Sequence, residues 1–367
     1  MTIWEALDLY YDLHHGGLDT REYYLTLEAL HPHMTFIKDL IKDIGDEHAA
    51  LASDIREVEE YVDTGSYIFN ALVSGSIFGG ISANKITALA GESSTGKTFF
   101  ALAMVRNFLE SNPDAVVLYF DTESAITPSL LSSRGIDTDR VVVINVVTIE
   151  EFRTKALQCV DKYLKLEEDK RQPMMFVLDS LGMLSTEKEI SDALADKNVR
   201  DMTKSQLVKG AFRMLTLKLG QANVPLIVTN HTYDVIGSYV PTKEMGGGSG
   251  LKYAASSIIY LSKKKEKDGK EVIGNIIKAK TAKSRLSKEN QDVEVKLYYD
   301  ERGLDRYYGL LELGEIGGLW KNVAGRYEID GKKLYAKEIL KNPENYFTPE
   351  VLEKLDVIAR GTFSYGG

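Results

Sequence analysis

The stretch Gly91-Glu92-Ser93-Ser94-Thr95-Gly96-Lys97-Thr98 has the spacing of a loop that holds phosphate. Glycine at each end lets backbone N–H groups turn toward anionic oxygens, and a helix starting at the loop adds its positive dipole end. In this pattern Lys97 reaches the β- and γ-phosphates of a nucleotide, and the Thr98 hydroxyl ligates Mg²⁺. Phe99 opens the helical run that follows and completes the cradle. Asp179 ends the apolar run "MMFVLD". A carboxylate at the tip of a buried strand faces the crevice where a nucleotide sits and holds the metal directly or through water; a helix cap is the competing role. Glu123 ends a second such run in "LYFDTES". Hydrolysis needs a group there to orient and deprotonate water, and Asp121, two residues earlier on the same face, is the alternative base. His231 closes a further strand in "VTNHTYD" and, with Asn230, is placed to sense the terminal phosphate.

Strands and helices must bring these groups together. "KITALAG" precedes the loop and the helical "TFFALAMVRNFLES" follows it. "AVVLYFDTE", "VVVINV", "MMFVLDS" and "PLIVTNH" read as further buried strands, separated by the helical "TIEEFRTKALQCVDKYLKL" and "DMTKSQLVKGAFRMLTLKLGQAN". Apolar strands alternating with helices imply an α/β fold with a mostly parallel sheet flanked by helices. "ASSIIYLSK", "VIGNIIKAK" and "DVEVKLYYD" extend the sheet. The glycine-rich "TYDVIGSYVPTKEMGGGSG" has little propensity for either element, and a loop that long carries function or lacks order. The spacing predicts three regions: an acidic helical one at 1–61, a core at 62–308, and a small C-terminal appendage at 309–367 with a helix over "TPEVLEKLDVIA".

The net charge of −9 hides an asymmetry. Residues 1–65 carry 15 acidic against 4 basic side chains, whereas 252–288 carry 11 basic against 3 acidic. The basic segment suits a polyanion and the acidic one a different task, with two solvated faces as the plainer alternative. Cys159 is the single cysteine, so an internal disulfide is excluded and a reducing cytoplasm is the expected compartment. The N-terminus has no basic leader, and no apolar run is long enough to span a membrane, so no membrane partner is expected. Five of the six histidines, at 14, 15, 31, 33 and 48, lie in the acidic region without the ligand spacing of a metal site.

Together and in this order, "GESSTGKT", "YFDTES", "FVLDSLG", "VTNHTYD" and "MGGGSGLKYAASSIIYL" resemble the RecA recombinase family, and among its members the UvsX recombinases of tailed phages. The resemblance covers roughly 62–320. It implies a RecA-like P-loop ATPase core that binds ATP and Mg²⁺ and forms a helical homo-oligomeric filament on single-stranded DNA. Such a filament pairs the strand with homologous duplex DNA, served by a single-strand-binding protein and a loading mediator. On this resemblance Glu123 is the water-activating residue, and His231 couples the γ-phosphate to DNA binding. Residues 182–199 and 232–249 are the two DNA-binding loops. DNA contacts fall to Arg200, Lys204, Arg213, Tyr233, Lys243, Gly246, Gly247 and Gly248, and Lys278 and Lys280 reach the neighbouring subunit's nucleotide. The chain departs from the family in its long acidic N-terminal region, in Leu130 where an aromatic often stacks on adenine, and in ending "FSYGG" without acidic residues.

A hexameric replicative helicase with the same core is the main alternative. A small-molecule kinase needs an acceptor pocket and a lid, for which no segment stands out. A binding protein merely gated by nucleotide does not account for both Glu123 and Asp179.

Overall fold

In the computed structural model, residues 32–45, 60–197, 202–234, 243–246, 249–268, 271–329 and 331–365 are described. The chain divides into two compact units, 1–58 and 59–367. In the first, the described element is helix α1, Pro32–Ile44, where "MTFIKDLIKDI" repeats apolar residues at helical spacing. The rest of 1–31, the stretch 46–59 and the side chain of His33 lie outside the described residues. Tyr61–Val62, expected as the end of a helix, is instead a short strand β1. It pairs antiparallel with β2, Ile81–Ser82, around helix α2, Tyr67–Ser74. The two aromatic and β-branched positions gain a ladder partner there, which local propensity does not register.

The second unit is built on strands β3 (Ile86–Gly91), β4 (Val116–Asp121), β5 (Val141–Asn145), β6 (Met174–Asp179) and β7 (Leu226–Asp234). The loop after β3 leads into α3 (Lys97–Ser111), and α4 (Pro128–Ser132) follows β4. Helix α5 (Ile149–Leu164) follows β5, and α6 (Glu187–Leu194) and α7 (Lys204–Ala222) lie between β6 and β7. Then come β8 (Lys243–Met245), α8 (Ser249–Ala254) and the antiparallel strands β9 (Ser257–Asp268), β10 (Glu271–Ser284) and β11 (Asp292–Tyr298). The sheet order is β11-β10-β9-β3-β7-β6-β4-β5, with β8 on β7. From β9 through β3 to β5 all pairings are parallel. This is the mostly parallel α/β sheet that the alternating pattern predicts.

The middle of the sheet is covered on both faces, which is why its strands read as unbroken apolar runs, whereas "VVVINV", expected as a buried strand, is the edge strand β5 with Val142 and Val143 54% and 38% exposed. β6 is buried at every position. Its residues alternate between two cores. Met175 and Val177 join Leu89, Phe100, Val105 and Ile259 on the α3 face, while Phe176 and Leu178 join Phe120, Phe152 and Phe212 on the α5–α7 face. The ring of Phe120 meets Phe152 and Phe176 edge-on at 5.1 and 5.6 Å between centroids, a favoured aromatic geometry. Helix ends are set locally. The Thr148 hydroxyl accepts from the Glu151 N–H at the start of α5, and Thr186 with Glu189 forms a capping box on α6.

Residues 309–367 hold helix α9 (Leu310–Ile316), a small sheet of β12 (Lys321–Val323), β13 (Arg326–Ile329) and β14 (Lys332–Tyr335), and helices α10 (Ala336–Ile339) and α11 (Pro349–Phe363). Leu310, Trp320, Leu355 and Phe363 belong to the same core as α2 and α3. Asp356 on α11 accepts from the Ser76 hydroxyl and the Ile77 N–H, tying the two ends of the unit together. Among the described residues no helix is long and apolar enough to cross a membrane.

Candidate nucleotide site and DNA-facing loops

The carboxyl ends of β3, β4, β6 and β7 open into a cleft of about 770 Å³. Parallel strands end together, so residues far apart in sequence converge there. Lys97, the first residue of α3, is 6% exposed and donates to the carbonyls of Gly91 and Glu92 at 3.1 and 2.9 Å. Its ammonium is folded back on the loop. Burial pulls its pKa below the ordinary lysine value, opposed by the charges of Asp179 and Glu123. The loop needs its glycines. Gly96 has φ 92°, and a Cβ on Gly91 would lie 2.7 Å from the Leu261 carbonyl of β9. Ser93, Ser94, Thr98 and Phe99 line the cleft. Thr95 is turned inward, with its hydroxyl donating to the Glu92 carbonyl at 2.9 Å.

Asp179 ends β6 at the cleft wall, 7% exposed. One oxygen accepts from the Tyr119 hydroxyl at 2.8 Å and the other from the Thr229 hydroxyl. Each oxygen keeps a free acceptor lone pair. Burial, then the Asp179 charge, hold Tyr119 well above the ordinary tyrosine pKa, so it remains a donor. A hydroxyl at Thr98 and a fixed carboxylate at Asp179 are hard oxygen donors, a set that fits magnesium bridged to phosphates.

Glu123 and Asp121 differ in what their carboxylates do. Asp121 is 3% exposed and both oxygens accept backbone N–H groups, from Glu123 and Ile126, each at 3.0 Å. It shapes the turn. Glu123 lines the cleft and its Oε1 accepts from the Ser180 hydroxyl at 3.1 Å. His231 stands between Lys97 and Glu123, with Nδ1 3.4 Å from the ammonium and Nε2 3.5 Å from the carboxylate. Asn230 and His231 also hold the glycine-rich segment after β8. Gly246 N–H donates to the His231 carbonyl at 3.0 Å, and the Asn230 amide donates to the Gly246 carbonyl at 2.8 Å.

His231 does not close its strand: β7 runs on to Asp234 and pairs with β8. Within the glycine-rich stretch, residues 232–234 and 243–245 are therefore antiparallel strand partners. Tyr233 packs on Gly246, where any Cβ would sit 2.8 Å from its ring. A contact across a dozen residues outweighs the low local propensity. Tyr233 and Arg213 are exposed. Lys204 pairs with Glu189 at 3.5 Å across α6 and α7. Lys243 starts β8, its side chain undescribed, and Arg200, Gly247 and Gly248 lie outside the described residues. Lys278 and Lys280 are exposed on β10 and do not line the cleft of their own chain; Lys278 pairs with Asp292 at 3.0 Å.

Several residues in or beside the cleft are given no role, or only part of one, by the sequence reading. Tyr119 and Thr229 hold Asp179 from strand interiors. At the far end, where Leu130 supplies no ring, Phe99 and Tyr299 do, 5.9 Å apart, and the Arg134 guanidinium lies 4.2 Å over Phe99. Aromatic residues at strand and helix ends were visible; their convergence was not.

This parallel sheet, with its phosphate loop after β3 and carboxylates at the tips of β4 and β6, defines a RecA-like P-loop core. A family model of the RecA N-terminal domain matches residues 33–305. The chain is 34% identical over 277 residues to the recombination and repair protein of Enterobacteria phage T4, covering 75% of this chain and 69% of that protein. It is 26% identical over 317 residues to Protein RecA of a Nocardioides species, covering 84% and 86%. To Protein RecA of Corynebacterium urealyticum it is 27% identical over 328 residues, covering 88% and 81%. The chain belongs to the RecA family, whose recombinases are ATPases.

Proposed function

We propose that this protein is a DNA-dependent ATPase that forms a filament on single-stranded DNA and catalyses homologous pairing and strand exchange. The observation that carries the reading is the convergence of Lys97, Glu123, Asp179 and His231 on one cleft, with His231 bonded onward to Gly246. In this reading the loop from Gly91 to Phe99 cradles the phosphates of ATP, and Thr98 and Asp179 hold the magnesium ion. The bound metal neutralises charge on the phosphates. Glu123, positioned by Ser180, orients and deprotonates the attacking water. Lys97 leaves the loop carbonyls for the phosphates, where its charge is compensated.

His231 converts occupancy into DNA affinity. It contacts Lys97 and Glu123 on one side, and its own carbonyl holds Gly246 on the other. Gly182, at the start of the first loop, is equally close: its Cβ would lie 3.1 Å from the Asn230 side-chain oxygen. A shift of the Asn230–His231 pair therefore reaches both loops. Those loops, with Arg200, Lys204, Arg213, Tyr233, Lys243, Gly246, Gly247 and Gly248, grip the sugar-phosphate backbone without reading sequence. Lys278 and Lys280 face the neighbouring subunit's nucleotide, which ties hydrolysis to assembly. A single-strand-binding protein and a loading mediator act beside the filament in the cytoplasm of the cell that houses it.

Electron microscopy of the protein with a non-hydrolysable ATP analogue and single-stranded DNA tests this. Helical filaments that need both ligands are expected. Closed six-membered rings that unwind duplex DNA would overturn the reading in favour of a helicase.

A further inference from the structure

Three antiparallel strands lie against α3 and the phosphate loop, and the character of their inner face changes along its length. Ile259 and Leu261 of β9, Ile277 and Ala279 of β10, and Val293, Val295 and Leu297 of β11 are all buried in one core. The register pairs Leu261 with Ala279 and Ile277 with Val295, so these side chains form continuous rows. Two residues further along the same faces, the rows end in Lys263 on β9 and Asn275 on β10. Both line the nucleotide cleft.

Neither residue is explained by the fold. The Lys263 ammonium leans over the loop and donates to the carbonyl of Ser94, a residue held at φ 60°. A lysine that reaches across from another part of the sheet to one loop carbonyl adds little to stability. Asn275 is 1% exposed, and its side-chain oxygen has no hydrogen-bond partner among the described residues. A buried acceptor without a donor is costly unless a ligand completes it. Lys263 meets the loop at the Ser94 carbonyl, and the cleft it lines also holds Lys97, Glu123 and His231.

We propose that Lys263 is a second cation of the nucleotide site, acting within its own subunit: it holds Ser94 when the cleft is free and transfers to the terminal phosphate of a bound nucleoside triphosphate. Asn275 accepts from a ribose hydroxyl or from a water on the phosphates, which satisfies its buried oxygen. Because Lys263 begins the lysine run of β9, the triphosphate is bound directly to that strand. This rests on the cleft being the ATP site.

The test is calorimetric titration of DNA-free protein with magnesium and either a non-hydrolysable ATP analogue or ADP. Lys263→Ala is expected to weaken the triphosphate about tenfold, the size of one charge-assisted hydrogen bond at a half-open site, with ADP affected less than about twofold. Lys263→Arg should restore most of the loss. Equal loss for both nucleotides would assign Lys263 to loop support and overturn the proposal, as would wild-type affinity for both. Asn275→Leu supplies the second measurement. Its melting temperature without nucleotide should equal or exceed that of the wild type, while its gain on adding the analogue shrinks. A large loss of stability without nucleotide would show that the Asn275 amide serves the fold instead. Failure of the wild-type protein to bind either nucleotide would refute the ATP site itself, a result separate from all of these.

Discussion

Tyr119→Phe tests whether Asp179, the proposed metal carboxylate, depends on neighbours to which the sequence reading assigns no role. Tyr119 is fully buried in β4, and its hydroxyl donates to Asp179 at 2.8 Å. Phenylalanine keeps the ring and leaves no cavity, so the change isolates one hydrogen bond to a buried carboxylate. Such a bond contributes about 1.5–3 kcal/mol. Thr229 still donates to the other oxygen, and Lys97 still lends its field, so a loss of about 2 kcal/mol in urea unfolding is expected. With one anchor gone the carboxylate can rotate away from the metal. Removing such an outer partner costs about 10- to 100-fold in metal affinity or activity. The DNA-stimulated ATPase of Tyr119→Phe should therefore need about tenfold more magnesium for half-saturation, with Thr229→Val behaving alike. Unchanged stability together with an unchanged magnesium requirement would refute the argument that these hydroxyls position Asp179.

The other predictions follow from the same geometry. Glu123→Gln should keep ATP and DNA binding while hydrolysis falls by about 10²- to 10⁴-fold, whereas Asp121→Asn should lower the melting temperature first, since its oxygens hold two backbone N–H groups; normal turnover in Glu123→Gln would remove its role as base. The depressed pKa of Lys97 means the nucleotide-free fold binds fewer protons there than the unfolded chain, so this residue makes stability rise with pH between its lowered pKa and the ordinary lysine value near 10.4. Lys97→Met should then raise the melting temperature of nucleotide-free protein at neutral pH, flatten that alkaline rise and abolish stabilisation by ATP; a less stable apo variant in thermal scans would contradict it. Changing Lys278 and Lys280 together to alanine should abolish DNA-stimulated hydrolysis while sparing ATP binding by free subunits, and mixing with Glu123→Gln subunits should restore part of it. Rescue of the double variant by low salt alone would assign both lysines to DNA. Deleting residues 1–58 should change sedimentation of the assembled protein and leave ATP affinity of free subunits intact; an unchanged sedimentation profile would count against an assembly role.

The amino-acid sequence by itself determined the local devices. The glycine spacing and the strand and helix around it made the phosphate loop legible, because backbone geometry there depends on nearby residues alone. The buried runs ending in Asp179 and Glu123 announced a parallel sheet with carboxylates at its tips, since a strand covered on both faces must be apolar at every position. Tertiary structure decided what those devices meet. Asp121 ends β4 and Glu123, with the same charge, lies two residues beyond it in the turn rather than on the strand as expected, and only packing made one a buried acceptor for that turn and left the other facing the cleft. Tyr119 and Thr229 read as ordinary strand residues until the order β7-β6-β4 placed them on either side of Asp179. The pairing of β7 and β8 beyond His231 brings Gly246 against Tyr233, a contact that no local window contains. Lys263 belongs to a charge run in sequence, and the registers of β9, β10 and β11 carry it over the loop. Propensity and spacing act over a turn or two of chain, whereas sheet order and register are set by the burial of whole faces, and that second constraint brings distant side chains into one site.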